Sequence, residues 1–141
     1  LNFEHKKVSE REIIEMEIKK TGKLFSFCCV APLIIKKKNK KDITKFEDIG
    51  SDIGLLFQVA DDLIDYKGSL MFAGKKTGKD KKKGKATLIS LLGYKNTIKY
   101  AKKLIFKINN KLKKYEPKSK DLSETLDYIL NRNKWTINTN F

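Results

Sequence analysis

FQVADDLIDYKGS, residues 57–69, sets Asp61, Asp62 and Asp65 inside an apolar helical pattern. At about 100° per residue, Gln58, Asp61, Asp62 and Asp65 fall within roughly 100° of one another. Ile53, Leu56, Ala60, Leu63 and Ile64 take the other side, so the segment reads as an amphipathic helix with one packing face and one carboxylate face. The wider context sharpens this reading. Between Phe46 and Tyr66 there is no lysine or arginine, yet Glu47, Asp48, Asp52, Asp61, Asp62 and Asp65 all lie there. The chain as a whole carries a formal charge of +15, and all but two of its 32 basic residues are lysine, the exceptions being Arg11 and Arg132.

Working outward, nearly every segment has helical periodicity. Ser9 followed by Glu12 forms a capping-box pattern that opens a helix over residues 9–31, which Pro32 should kink or end. KKKNKKD, residues 36–42, reads as a charged connector. A long helix is predicted from about Thr44, with Glu47 completing its cap, to Tyr66. A glycine-rich loop follows over residues 68–85, and Thr87 opens another apolar stretch. Ile98, Ala101, Ile105, Ile108 and Leu112 make a helical stripe, Pro117 interrupts the chain, and Leu122, Leu126, Ile129 and Leu130 mark a last helix. No run alternates as a strand does. The fold class is all-α, helices packed on helices, and 141 residues suit one modest domain.

The composition excludes several chemistries. His5 is the only histidine, which argues against histidine-based metal or triad sites. Cys28 and Cys29 are adjacent with no second pair to complete a zinc site, and their apolar surroundings predict buried free thiols. The longest apolar run, LFSFCCVAPLII at residues 24–35, falls far short of the roughly 20 residues of a spanning helix. With no signal peptide in evidence, the chain reads as cytoplasmic, without membrane insertion. The lysine excess admits a basic α-helical nucleic-acid-binding module as the alternative function. A solvated lysine coat, of the kind an AT-rich coding sequence produces, is the preferred reading because arginine forks are scarce.

Three ionised carboxylates on one short segment repel one another, and a hard cation relieves that repulsion. Mg²⁺ suits such a site, since it takes one or two protein carboxylates and completes its shell with water and substrate phosphates. AGKKTGKDKKKGKAT, residues 73–87, follows directly and is rich in glycine and lysine. A cation on the carboxylates and ammonium groups on this loop can hold a diphosphate from two sides. The loop is not a P-loop: Gly74 lies too close to Gly78-Lys79, and Asp80 stands where serine or threonine is required.

These blocks together resemble the C-terminal half of the trans-isoprenyl diphosphate synthases, with bacterial farnesyl diphosphate synthases the nearest type. Lys20-Thr21-Gly22 is similar to the family's KTG turn, and GLLFQVADDLID, residues 54–65, to its second aspartate-rich motif. GKKTGKDKKKGKAT, residues 74–87, resembles its diphosphate loop, and DYILNRNK, residues 127–134, its C-terminal helix. The resemblance implies the C-terminal part of an isoprenoid-synthase helical bundle. It divides the chain into a KTG region (1–35), the aspartate-rich helix (44–66), the diphosphate loop (67–86), C-terminal helices (87–134) and a tail (135–141).

It further implies head-to-tail condensation of an allylic diphosphate, dimethylallyl or geranyl, with isopentenyl diphosphate, giving farnesyl diphosphate. Asp61 and Asp65 would hold Mg²⁺ with Asp62 in support, and Lys20, Lys75 and Lys85 would contact the allylic diphosphate. Thr21 and Gln58 would direct oxygen dipoles at the developing cation, and Phe57 would line the cavity. A terpene cyclase shares the fold, but that relative usually lacks this second motif followed by the glycine-lysine loop. The family's first aspartate-rich motif, its isopentenyl diphosphate site and its chain-length residues have no counterpart here. The chain is therefore expected to be a C-terminal half, inactive alone, from an enzyme that is a homodimer when complete. Ile13, Ile18, Leu24, Phe57 and Leu63 are expected to be uncovered by the absence of the other half.

Overall fold

The computed structural model describes residues 8–73 and 86–132. Within them the chain forms α1 (Glu10–Glu17), a π-helical turn (Ile18–Gly22), α2 (Lys23–Ile35), α3 (Lys40–Ala73), α4 (Leu88–Leu92), α5 (Tyr94–Leu112) and α6 (Lys120–Asn131). No strand occurs among the described residues, and the all-α expectation holds. No helix there is long and apolar enough to cross a membrane.

The helix starts follow local chemistry. Ser9 caps α1, and the Glu12 carboxylate accepts the Ser9 backbone N–H at 2.8 Å in return, the capping box read from sequence. Thr87 does the same for α4 through Ser90. The start of α3 differs from expectation: Asn39, not Thr44, caps it. Asn39 Oδ1 accepts the Asp42 backbone N–H at 2.9 Å, while its amide donates to the Asp42 carboxylate at 2.8 Å. The charged connector thus shrinks to residues 36–39, and α3 runs on to Ala73, past the predicted end at Tyr66. The sole glycine in that extension, Gly68, costs only about 1 kcal/mol in a helix and does not break it.

Pro32 does not end α2 either; the helix continues to Ile35. Pro32 and Cys28, whose carbonyl loses its intrahelical partner, are both exposed, so the lost bond does not fall in the core. The helix stops instead in a Schellman arrangement. Lys37 adopts φ 49°, its N–H donates to the Ile34 carbonyl, and that of Lys38 donates to the Leu33 carbonyl, both at 2.9 Å. Gly93, at φ 77°, separates α4 from α5 in the stretch predicted to begin at Thr87.

α3 is the central element. Ile49, Ile53, Leu56, Val59, Ala60 and Leu63 pack against Ala101, Leu104, Ile105, Ile108 and Leu112 of α5, with Leu126 and Ile129 of α6, Leu88 of α4 and Ile13 of α1 closing the core. Ile13 and Leu63 are thus buried within this chain, contrary to the expectation that they lie uncovered. Leu24 is uncovered as expected, and with Phe27, Ile34 and Ile35 it forms an exposed apolar stripe along α2. The two thiols are not buried as predicted: Cys28 is exposed and Cys29 half-buried. Burial, and then the neighbouring Cys28, push the Cys29 thiol up, which makes it a poor nucleophile.

The contact between α2 and α3 is close enough to exclude side chains. A Cβ on Gly54 would lie 2.6 Å from the Gly22 Cα, and one on Gly50 would lie 2.6 Å from the Ser26 Cα and 2.7 Å from the Phe25 carbonyl oxygen. Ser26, in the same seam, donates to the Glu47 carbonyl at 2.9 Å.

Three acids of the lysine-free segment have structural partners. Buried Asp52 accepts from Lys107 at 2.9 Å and from Lys111 at 2.6 Å, Asp48 also pairs with Lys111, and Glu47 lies 3.8 Å from Lys23. Partial burial works against the Lys111 ammonium, but its bonds to Asp48 and Asp52 outweigh that effect and hold its pKa above the ordinary lysine value. A lysine raised in this way contributes stability that is complete below its unfolded value, about 10.4, and is lost as pH rises through the higher folded value. Lys111→Met should therefore flatten the alkaline limb of the stability–pH profile, read by urea unfolding from about pH 9 to about pH 12. An unchanged limb would show that the Asp48–Lys111–Asp52 bridge contributes nothing.

Candidate functional site

The KTG residues fall in the π-helical turn between α1 and α2. Such a turn carries one residue more per hydrogen-bonded ring than an α-helix, widens the helix locally and re-aims its side chains, and it recurs at functional positions. Gly22 is buried against Gly54, which presses this turn onto α3 one turn before Gln58. Thr21 is thereby brought to Gln58, and its hydroxyl donates to Gln58 Oε1 at 3.1 Å. These two side chains are 37 residues apart in sequence, and both were singled out from it. Lys20, beside them, is exposed.

Along α3, Phe57 follows the same seam. Its ring meets Phe25 of α2 at 5.3 Å between centroids and is half-buried. One turn on, Asp61 and Asp65 occupy successive turns on the open side of α3, with Asp65 exposed. The carboxylate face is narrower than predicted, because Asp62 and Gln58 are buried. The reason is that α3 is packed on more than one side: α2 and the π turn lie against one flank, α5 and α6 against others. Of the four polar residues on that face, Asp61 and Asp65 remain accessible.

One participant escaped sequence reasoning altogether. Arg132, just beyond the end of α6, donates to Asp61 Oδ1, and its guanidinium carbon lies 4.4 Å from the centre of the Phe57 ring. The signal was available, since Arg132 is one of only two arginines. Lys75 and Lys85, the loop lysines, lie outside the described residues.

The donor set suits a hard divalent ion held by few protein ligands. No cluster of three or more ligating side chains exists among the described residues, but Mg²⁺ needs only one or two carboxylates. Asp61 and Asp65 supply hard oxygens one helical turn apart, and a cationic group already sits against Asp61. These two carboxylates follow along α3 from the Phe25–Phe57 ring pair and the Thr21–Gln58 hydrogen bond.

The sequence profile of the polyprenyl synthetase family matches residues 1–129. A farnesyl diphosphate synthase from Micrococcus luteus is 34% identical over 131 residues, which is 93% of this chain and 45% of that protein. One from Bacillus subtilis is 37% identical over 112 residues, covering 74% of this chain and 38% of that protein. Among solved structures, the geranyltranstransferase of Thermotoga maritima superposes with a TM-score of 0.61 at 30% identity, over 95% of this chain and 42% of that one. The geranyltransferase of Helicobacter pylori gives 0.66 at 25% identity, over 89% and 40%. The chain therefore spans less than half the length of these relatives.

Proposed function

The chain belongs to the polyprenyl synthetase family, and from that premise we propose that it supplies one wall of an allylic-diphosphate site in a prenyl-elongating enzyme of the farnesyl diphosphate synthase type. The observation that carries this reading is the Thr21–Gln58 hydrogen bond, which places the KTG turn beside the aspartate-rich helix with Asp61 one turn further along. In this proposal Asp61 and Asp65 hold Mg²⁺, and buried Asp62 supports the helix position from which they act. Magnesium, when bound, neutralises the departing diphosphate of the allylic substrate.

The remaining work falls to the chain's own groups. Lys20, Lys75 and Lys85 bind the diphosphate oxygens as point charges. The oxygen dipoles of Thr21 and Gln58 face the carbon that becomes electron-deficient. Phe25 and Phe57 exclude water and present a π face to that carbon, as aromatic rings do toward cations. Isopentenyl diphosphate, the second substrate in this reading, is received by the part of family members with which this chain does not align. The complete enzyme is proposed to act as a homodimer.

The test is reassembly. With geranyl diphosphate, isopentenyl diphosphate and magnesium, the 141-residue chain alone should give no product. Mixed with a separately produced amino-terminal half of the Micrococcus luteus relative, it should give farnesyl diphosphate. Turnover by the chain alone would overturn the one-wall reading. No product from the mixture, under conditions where the relative's own two halves reassemble, would overturn prenyl transfer.

A further inference from the structure

Arg132 contacts two groups assigned above to separate tasks. Its guanidinium donates to Asp61 Oδ1 and lies over the Phe57 ring, 4.4 Å from the centroid. The side chain is 21% exposed and that of Asp61 43% exposed, so the pair is partly withdrawn from solvent screening. The other arginine, Arg11, pairs with Glu15 at a fully solvated site, 88% exposed. In a chain whose basic residues are otherwise lysine, the arginine at Asp61 brings properties that lysine lacks. Its planar fork matches a carboxylate while its face stacks on an aromatic ring, and it does not deprotonate. Asp65, one turn along, has no charged partner among the described residues.

We propose that Arg132 is the resident counter-cation of Asp61: it holds this carboxylate oriented while the metal is absent, and a divalent ion must displace it to bind. The proposal rests on Asp61 being a metal ligand, as argued above. Its physical content is competition. When only a fraction of molecules has an open site, the apparent dissociation constant rises by the reciprocal of that fraction. A bridge closed about four-fifths of the time therefore weakens metal binding about fivefold. Arg132 is in this sense a positioning residue, acting on the metal through Asp61. The Phe57 face gives the displaced guanidinium a second attachment, so it can leave the carboxylate without leaving the site.

The experiment measures Mn²⁺ binding to the full 141-residue chain by the loss of the free-ion EPR signal; Mn²⁺ shares the oxygen-ligand preference of Mg²⁺. Arg132→Gln should tighten binding about fivefold, with Arg132→Lys between it and the parent. Arg11→Gln removes the same charge far from Asp61 and should leave affinity unchanged, which separates local competition from the general effect of net charge. In the Asp61→Asn background, Arg132→Gln should give no gain. Parent-like or weaker binding by Arg132→Gln, with the parent still binding, would overturn the proposal alone. Parent-like binding by Asp61→Asn, or no binding by any variant, would overturn the metal reading together with it. Should Arg132→Gln lose its helical circular dichroism, the lysine variant decides: no gain over the parent overturns the proposal.

Discussion

Asp61→Ala should weaken magnesium-dependent binding of a non-reacting allylic thiolodiphosphate by at least the roughly 10–100-fold that loss of even an outer-shell metal partner costs. Asp48→Ala should leave it within about twofold, a change of less than about 0.5 kcal/mol. Both residues belong to the same lysine-free acidic stretch of one helix, and composition alone does not separate them. Their surroundings do. Asp48 is exposed and spends its charge on Lys111, whereas Asp61 stands one turn from Gln58, beside Phe57, on the open strip of α3. Chelation of the metal should reproduce the Asp61 loss in the parent chain. Titration calorimetry on the 141-residue chain reads all three cases. Equal losses in the two variants would mean that the acidic segment acts as diffuse charge.

Gly50→Ala should cost about 3 kcal/mol of stability, the upper part of the range for overpacking a tight interior. The added Cβ would meet the Ser26 Cα at 2.6 Å, the Phe25 carbonyl oxygen at 2.7 Å and the Ser26 nitrogen at 2.9 Å. All three are backbone atoms and cannot be relieved by a change of rotamer. Gly68→Ala, in the same helix, meets nothing within 4 Å and should gain about 0.5–1 kcal/mol, the ordinary helical difference between the two residues. Urea unfolding of both variants gives opposite signs if the seam between α2 and α3 is as close as described. A loss of under about 0.5 kcal/mol for Gly50→Ala, the size of an ordinary surface change, would refute it.

Periodicity and capping chemistry made most of the fold legible. Ser9 and Thr87 start helices where their side chains can cap, and Ala101, Ile105, Ile108 and Leu112 are buried as their spacing required. The errors came where a local rule met a tertiary one. Pro32 predicts a kink or an end, but the helix runs through it on its exposed side, and the actual stop is a lysine in the left-handed region at Lys37, a conformation for which that residue type gives no signal. Thr44 and Glu47 formed a plausible cap inside a helix that Asn39 had already started.

At the site, the spacing of Asp61 and Asp65 placed them on one strip. Spacing was silent about Asp62 and Gln58, because a helical wheel assigns angles without saying how many neighbours surround the helix. The partnership of Thr21 with Gln58 and that of Arg132 with Asp61 join residues 37 and 71 positions apart. No local pattern encodes such pairs. The first could be anticipated only through the family resemblance, and the second was not anticipated at all.

The glycine seam has a consequence for how this chain can change over time. Where Gly22 meets Gly54 and Ser26 meets Gly50, backbone touches backbone. At those two points there is no side chain to repack, so a mutation elsewhere cannot be relayed through them by shifting rotamers. The lysines among the described residues, by contrast, lie largely in solvent, where substitutions alter stability by no more than about 0.5 kcal/mol. Drift in the base composition of the coding sequence can therefore recast the exterior, residue by residue, without touching the backbone contacts that bring Thr21 to Gln58. An uncommonly basic exterior and a conventional interior wall can thus share one short polypeptide, because the seam insulates one from the other.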